Sequence, residues 1–154
     1  MIDVAVSGAM GRLGSAISRG VAAAENMRLT GLHAPGHEGK SIGNLGVTGE
    51  SGNLAAQVVV ECAHPGVVMD NLRTWHEKGF NVVVGTSGFT EDRLAELRSF
   101  WGPEDQGCLV VPNFSIGAVL MMRFAELASS YFDSVEIVER HEDKKPDAPS
   151  GTAL

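Results

Sequence analysis

Short apolar runs and helically spaced apolar positions alternate from the first residue of the chain. Val4, Ala5 and Val6 form a run that stops at Gly8. Leu13, Ile17, Val21 and Ala24 then recur at the three-to-four-residue spacing of a helix face. Residues 27–33, 57–62, 80–84 and 108–111 predict four further strands. Helices are predicted around Val68, Leu72 and Trp75, and around Leu94, Leu97 and Trp101; the second is entered through Thr90, with Glu91 and Asp92 in its first turn. The strands are continuous valine-rich runs rather than apolar–polar alternations, which marks strands covered on both faces. The pattern predicts the α/β class: a doubly wound parallel sheet of the Rossmann, dinucleotide-binding type.

Two segments depart from this alternation. Residues 34–53 hold six glycines and no helical period, and read as a surface excursion. Residues 115–132 are apolar almost all round, interrupted by Arg123 and Glu126. They predict a helix that is buried or shared with another subunit or domain. Val135 and Ile137 alternate with Glu136 and predict a last strand. The expected division is a dinucleotide-binding domain over residues 1–132 and the start of a second, incomplete domain over 133–154.

Composition narrows the function classes. The chain has 154 residues, 44% of them hydrophobic and 20% charged, enough for one ordinary core. Twelve Lys and Arg stand against 19 Asp and Glu, a net charge of −7, which argues against a nucleic-acid partner. The apolar run at 116–122 is far too short to span a bilayer. The chain opens on a strand-like stretch, not a charged and then apolar leader, so a cytoplasmic protein is expected. Two cysteines, Cys62 and Cys108, are too few for a disulfide framework.

The first strand-to-helix turn carries Gly8, Gly11 and Gly14. Glycines there serve a tight turn, the approach of a pyrophosphate to backbone N–H groups, and close helix-to-strand packing. The end of the second strand is where an acid would take the ribose 2′-hydroxyl of NAD. None stands there; the segment is His33, Ala34, Pro35, Gly36, His37, Glu38, Gly39 and Lys40. Ala34 to Ser41 also fits a relaxed phosphate-loop pattern, but the glycines after Ser41 exclude the helix that such a loop must open. Pro35 and Gly36 separate His33 from His37, so these two do not share a helix face and no metal site is expected. Near the C-terminus, His141, Lys144, Lys145 and the Ser150–Gly151–Thr152 turn combine a titratable imidazole, two ammonium groups and potential N–H donors. Those are parts for giving a proton to a small acid.

The segment from Glu139 to Leu154, ERHEDKKPDAPSGTAL, resembles the signature of the dihydrodipicolinate (4-hydroxy-tetrahydrodipicolinate) reductases of diaminopimelate and lysine biosynthesis. The stretch from Val6 to Gly14, the Gly85–Phe89 run, and Pro112–Phe114 with Gly117 are similar to theirs as well. The resemblance implies an oxidoreductase using NADPH or NADH on a small dicarboxylate. It implies cofactor contacts from Gly8, Ala9, Met10, Gly11, Arg12 and Leu13, from Gly85, Thr86 and Ser87, and from Val111, Pro112, Asn113 and Phe114. It implies His141 as proton donor and Lys145 as catalytic lysine, with Glu142, Gly151 and Thr152 at the substrate. Glu142 stands where the family usually has a second histidine. The family also implies a homo-oligomer, tetrameric at full length, and continuation into a substrate domain, so this chain is expected to be a fragment. A non-catalytic dinucleotide-binding module on the same fold is the rival. A semialdehyde dehydrogenase would need a thiolate nucleophile, and neither cysteine lies in a sequence that looks like one.

Overall fold

In a computed structural model, which describes residues 1–138 and Arg140, the chain divides into two units, Met1–Val110 and Val111–Leu154. In the first, β1 (Ile2–Ser7), β2 (Met27–His33), β3 (Ser41–Ile42), β4 (Leu45–Thr48), β5 (Val58–Glu61), β6 (Asn81–Val84) and β7 (Cys108–Val110) join in one sheet. Their order is β3-β4-β2-β1-β5-β6-β7. All neighbours are parallel except β3 and β4. The helices α1 (Arg12–Ala23), α2 (Val68–Glu77) and α3 (Glu91–Phe100) make the crossovers.

Alternate strand residues feed two cores, one on each face. Val4, Val6 and Val60 pack with Val21 of α1 and Leu32 of β2. Ala5, Val59, Val82 and Val84 pack with Leu72 and Trp75 of α2 and Leu97 of α3. That is the doubly wound arrangement the valine runs predict, because a strand sandwiched between helices needs apolar side chains on both sides. Thr90 caps α3 as expected, its hydroxyl accepting from the Arg93 N–H at 3.4 Å.

Three expectations are corrected. Residues 34–53 are not merely an excursion: β3 and β4 form a hairpin around Gly43, whose φ is 59°, and β4 extends the sheet beside β2. Gly43–Asn44 between Ile42 and Leu45 is a two-residue turn signal that the density of glycines obscures. In the second unit, α4 (Ile116–Ser129) forms as a helix capped by Ser115, but none of its residues is buried. Residues 134–138 are not a strand; apolar alternation makes a strand only where a ladder partner exists, and none pairs with them among the described residues.

Candidate functional site

The carboxyl ends of β1 and β5 are neighbours at the point where the strand order reverses, the place where open α/β sheets bind ligands. A cleft of about 410 Å³ opens there. One wall is the glycine turn, with Ser7, Gly8, Met10 and Gly11; the floor and outer end are His33, Ala34, Pro35 and His37; the other wall is Cys62, Ala63, His64, Val67 and Asn71.

The glycines of the turn are required by geometry. Gly8 has φ 71°, and a Cβ there would lie 2.5 Å from the Cys62 carbonyl. A Cβ on Gly14 would run into the Gly8 carbonyl oxygen, so α1 can sit this close to the turn only with glycine. Gly11 is the N-cap of α1, and no side chain caps that end. The His33 carbonyl takes the N–H groups of Gly8 (2.9 Å) and Ala9 (3.2 Å), fixing the turn on β2. Among the described residues none accepts from the N–H groups of Met10, Arg12 or Leu13. The positive end of the α1 dipole and these open donors suit a pyrophosphate.

The imidazole of His33 is buried, with Nδ1 3.2 Å from Ser7 Oγ and the ring edge-on to Trp75. Burial lowers its pKa, outweighing the opposing pull of Glu61 and of a hydrogen bond to the Gly49 backbone. Glu38 is turned back on its own loop, its carboxylate accepting from the Gly36 N–H at 3.1 Å. Hydrogen bonds from the backbone of Glu38 and Gly36 hold its pKa below the usual value. Burial pushes the Cys62 thiol up to about 12 and the Cys108 thiol up to about 11, so neither is a nucleophile near neutral pH.

Of the residues expected at the cofactor, Gly8, Met10 and Gly11 line this cleft, Ala9 is buried behind them, and Arg12 and Leu13 open α1. Gly85, Thr86 and Ser87 follow β6 at the same edge of the sheet. Gly85 donates to the Glu61 carbonyl (2.8 Å) and Thr86 Oγ1 to the Ala63 carbonyl (2.9 Å), while Ser87 is exposed. Val111, Pro112, Asn113 and Phe114 belong to the second unit, where Asn113 Oδ1 accepts from the Ser115 N–H at 2.7 Å. His141, Glu142, Lys145, Gly151 and Thr152 lie outside the described residues. Sequence reasoning did not single out Ser7, Val67 or Asn71. Their signal was position alone: Ser7 ends β1, Val67 is the N-cap of α2 and Asn71 lies in its first turn.

Fold and cleft define the class, a Rossmann-type dinucleotide-binding domain. A model of the dihydrodipicolinate reductase N-terminus matches residues 2–114, and one of the C-terminus of the same enzymes matches residues 117–154. The chain belongs to the dihydrodipicolinate reductase family. It is 49% identical over 153 residues to a Streptomyces coelicolor protein and 47% identical over 153 residues to one from Streptomyces avermitilis, both named 4-hydroxy-tetrahydrodipicolinate reductase. Each comparison covers 99% of this chain and 58% of the relative, so the chain spans less than two thirds of their length. A solved structure, a dipicolinate-bound dihydrodipicolinate reductase from Paenisporosarcina sp. TG-14, superposes with a TM-score of 0.76 at 34% identity, covering 99% of this chain and 63% of that one.

Proposed function

We propose that the chain is the dinucleotide-binding part, with the beginning of the catalytic part, of a reductase that adds a hydride from NAD(P)H and a proton to 4-hydroxy-tetrahydrodipicolinate, whose 4-hydroxyl leaves as water, to give tetrahydrodipicolinate. The observation that carries this reading is the cleft at the strand reversal, where Gly8 and Gly14 bring α1 with its open N–H groups against the turn. Gly8 to Leu13 hold the pyrophosphate and Gly85 to Ser87 lie toward the nicotinamide end, while Val111 to Phe114 are given to the same cofactor by the family resemblance alone. A bound nicotinamide supplies the hydride. The chain's residues supply the rest: His141 or Lys145 gives the proton or stabilises the developing negative charge, and Gly151 and Thr152 hold a substrate carboxylate. Glu142 is assigned to the substrate as well, and Lys144 and Lys145, two and three residues on in sequence, carry charge opposite to its own. The complete protein works as a homo-oligomer.

The ribose end of the cleft supports acceptance of NADPH at least as readily as NADH. Ala34 occupies the strand-end position of an acid, the only carboxylate of the following loop is turned onto Gly36, and Lys40 is the cation of that loop. Calorimetric titration of the chain with both dinucleotides at one fixed salt concentration tests both statements. Binding of both is expected, NADPH no weaker than NADH. A roughly tenfold advantage for NADH overturns the preference, and no binding of either overturns the dinucleotide reading.

A further inference from the structure

Glu61 ends β5 with a carboxylate that is 0% exposed, at the inner end of a valine strand. A buried carboxylate is costly unless its oxygens are fully hydrogen-bonded. Here Oε1 accepts from the Ala63 N–H at 2.7 Å, and Oε2 accepts from Trp75 Nε1 at 2.8 Å and Asn71 Nδ2 at 3.2 Å. One donor belongs to the connection that leaves β5, and two belong to α2. The carboxylate therefore ties that connection to the helix. The same connection is gripped from its other sides: the Cys62 N–H donates to the Ser7 carbonyl at 2.9 Å, Thr86 Oγ1 donates to the Ala63 carbonyl, and Gly8 packs directly on the Cys62–Ala63 peptide. Cys62, Ala63 and Asn71 are the cleft wall facing the glycine turn. An apolar residue at 61 would fill the core as well, but would leave the Ala63 N–H and the Trp75 indole without an acceptor.

We propose that Glu61 is a positioning residue for the dinucleotide: its carboxylate holds the 62–63 connection and the start of α2 at the separation from the glycine turn that the bound dinucleotide requires. This rests on reading the cleft as the dinucleotide site. In Glu61→Gln the side chain keeps its size, but an NH₂ group must face at least one of the three donors, so the wall shifts.

The test is calorimetric affinity of the chain for NADH and NADPH, with folding followed by circular dichroism. Glu61→Gln is expected to weaken both dinucleotides alike by about tenfold, and Glu61→Asp, which keeps the carboxylate, by less. Val82→Ala, which loosens the same core away from the cleft, is expected to lower the melting temperature yet keep affinity within about twofold. Trp75→Phe removes one donor and keeps the carboxylate and an aromatic ring; about threefold weakening is expected, and it decides the matter if Glu61→Gln does not fold. The proposal is overturned if folded Glu61→Gln binds within about twofold of the unsubstituted chain, if Trp75→Phe leaves affinity unchanged, or if Val82→Ala weakens binding as much as Glu61→Gln. Absence of binding by the unsubstituted chain overturns the dinucleotide reading itself; equal binding by the unsubstituted chain and Glu61→Gln overturns only the role of Glu61.

Discussion

His33 joins the glycine turn to the floor of the cleft through two kinds of contact: its carbonyl holds the Gly8 and Ala9 N–H groups, and its imidazole is fixed by Ser7 Oγ and the Gly49 backbone. Burial favours the neutral ring and lowers the folded-state pKa from the ordinary 6.5, although Glu61 pulls the other way. The linkage has a definite sign. Below pH 6.5 the unfolded chain takes up this proton while the folded chain resists it, so the folded state loses stability as pH falls through that value and continues to lose it down to the folded pKa. Urea unfolding at pH 7.5, 6.5 and 5.5 is expected to show this loss. In His33→Gln, which cannot titrate, the fall over the same interval is expected to be smaller. Parallel curves for the two proteins would show that carboxylates elsewhere account for the whole acid sensitivity.

At the scale of the element, α1 contains two interior glycines with opposite roles. A Cβ on Gly14 collides with the Gly8 carbonyl oxygen, whereas one on Gly20 meets nothing within 4 Å. Alanine is a better helix former than glycine by up to about 1 kcal/mol, so Gly20→Ala is expected to raise stability by about 0.5–1 kcal/mol. Gly14→Ala gains the same propensity but must push the helix off the turn, and a net loss of about 1–3 kcal/mol is expected. Urea midpoints measure both; stabilisation by Gly14→Ala would mean that α1 does not rest on Gly8. This contrast also shows what was legible in the sequence. The valines of β1, β5 and β6, the apolar stretches of β2 and β7, and the spacing of Val68, Leu72 and Trp75 show through, because burial on both faces of a strand and on one face of a helix leaves a pattern. The G-x-x-G-x-x-G spacing marked the turn, though not which glycine bears which constraint. The β3–β4 hairpin was hidden because strands of two and four residues, interrupted by glycines, give no run long enough to carry a period. Glu61 was legible as part of the strand over 57–62, but not its role, because the three donors on its carboxylate are brought together only by tertiary contacts.

At the scale of the whole molecule, α4 is the element whose surroundings are least satisfied. Ile116 is 78% exposed, Phe124 63% and Leu127 68%, in a helix with one basic and one acidic residue in fourteen. Apolar side chains grouped in this way call for cover, and such surfaces belong to contacts between domains or subunits. Residues 117–154 match the C-terminal family model, while the relatives are longer than this chain. Hydride transfer needs water shut out and the substrate carboxylates held rigidly, and one open cleft on a dinucleotide domain does neither. The expected outcome is that this chain binds NADPH and NADH but oxidises them at the background rate when 4-hydroxy-tetrahydrodipicolinate is generated enzymatically in the cuvette. Fusing residues 1–154 to the remaining segment of the Streptomyces coelicolor relative is expected to restore turnover, and His141→Ala in that chimera to depress kcat far more than dinucleotide affinity. A chain of 154 residues that turned over as fast as the chimera would show that the second domain is dispensable for chemistry. Full activity in the His141→Ala chimera would remove the proton donor from position 141.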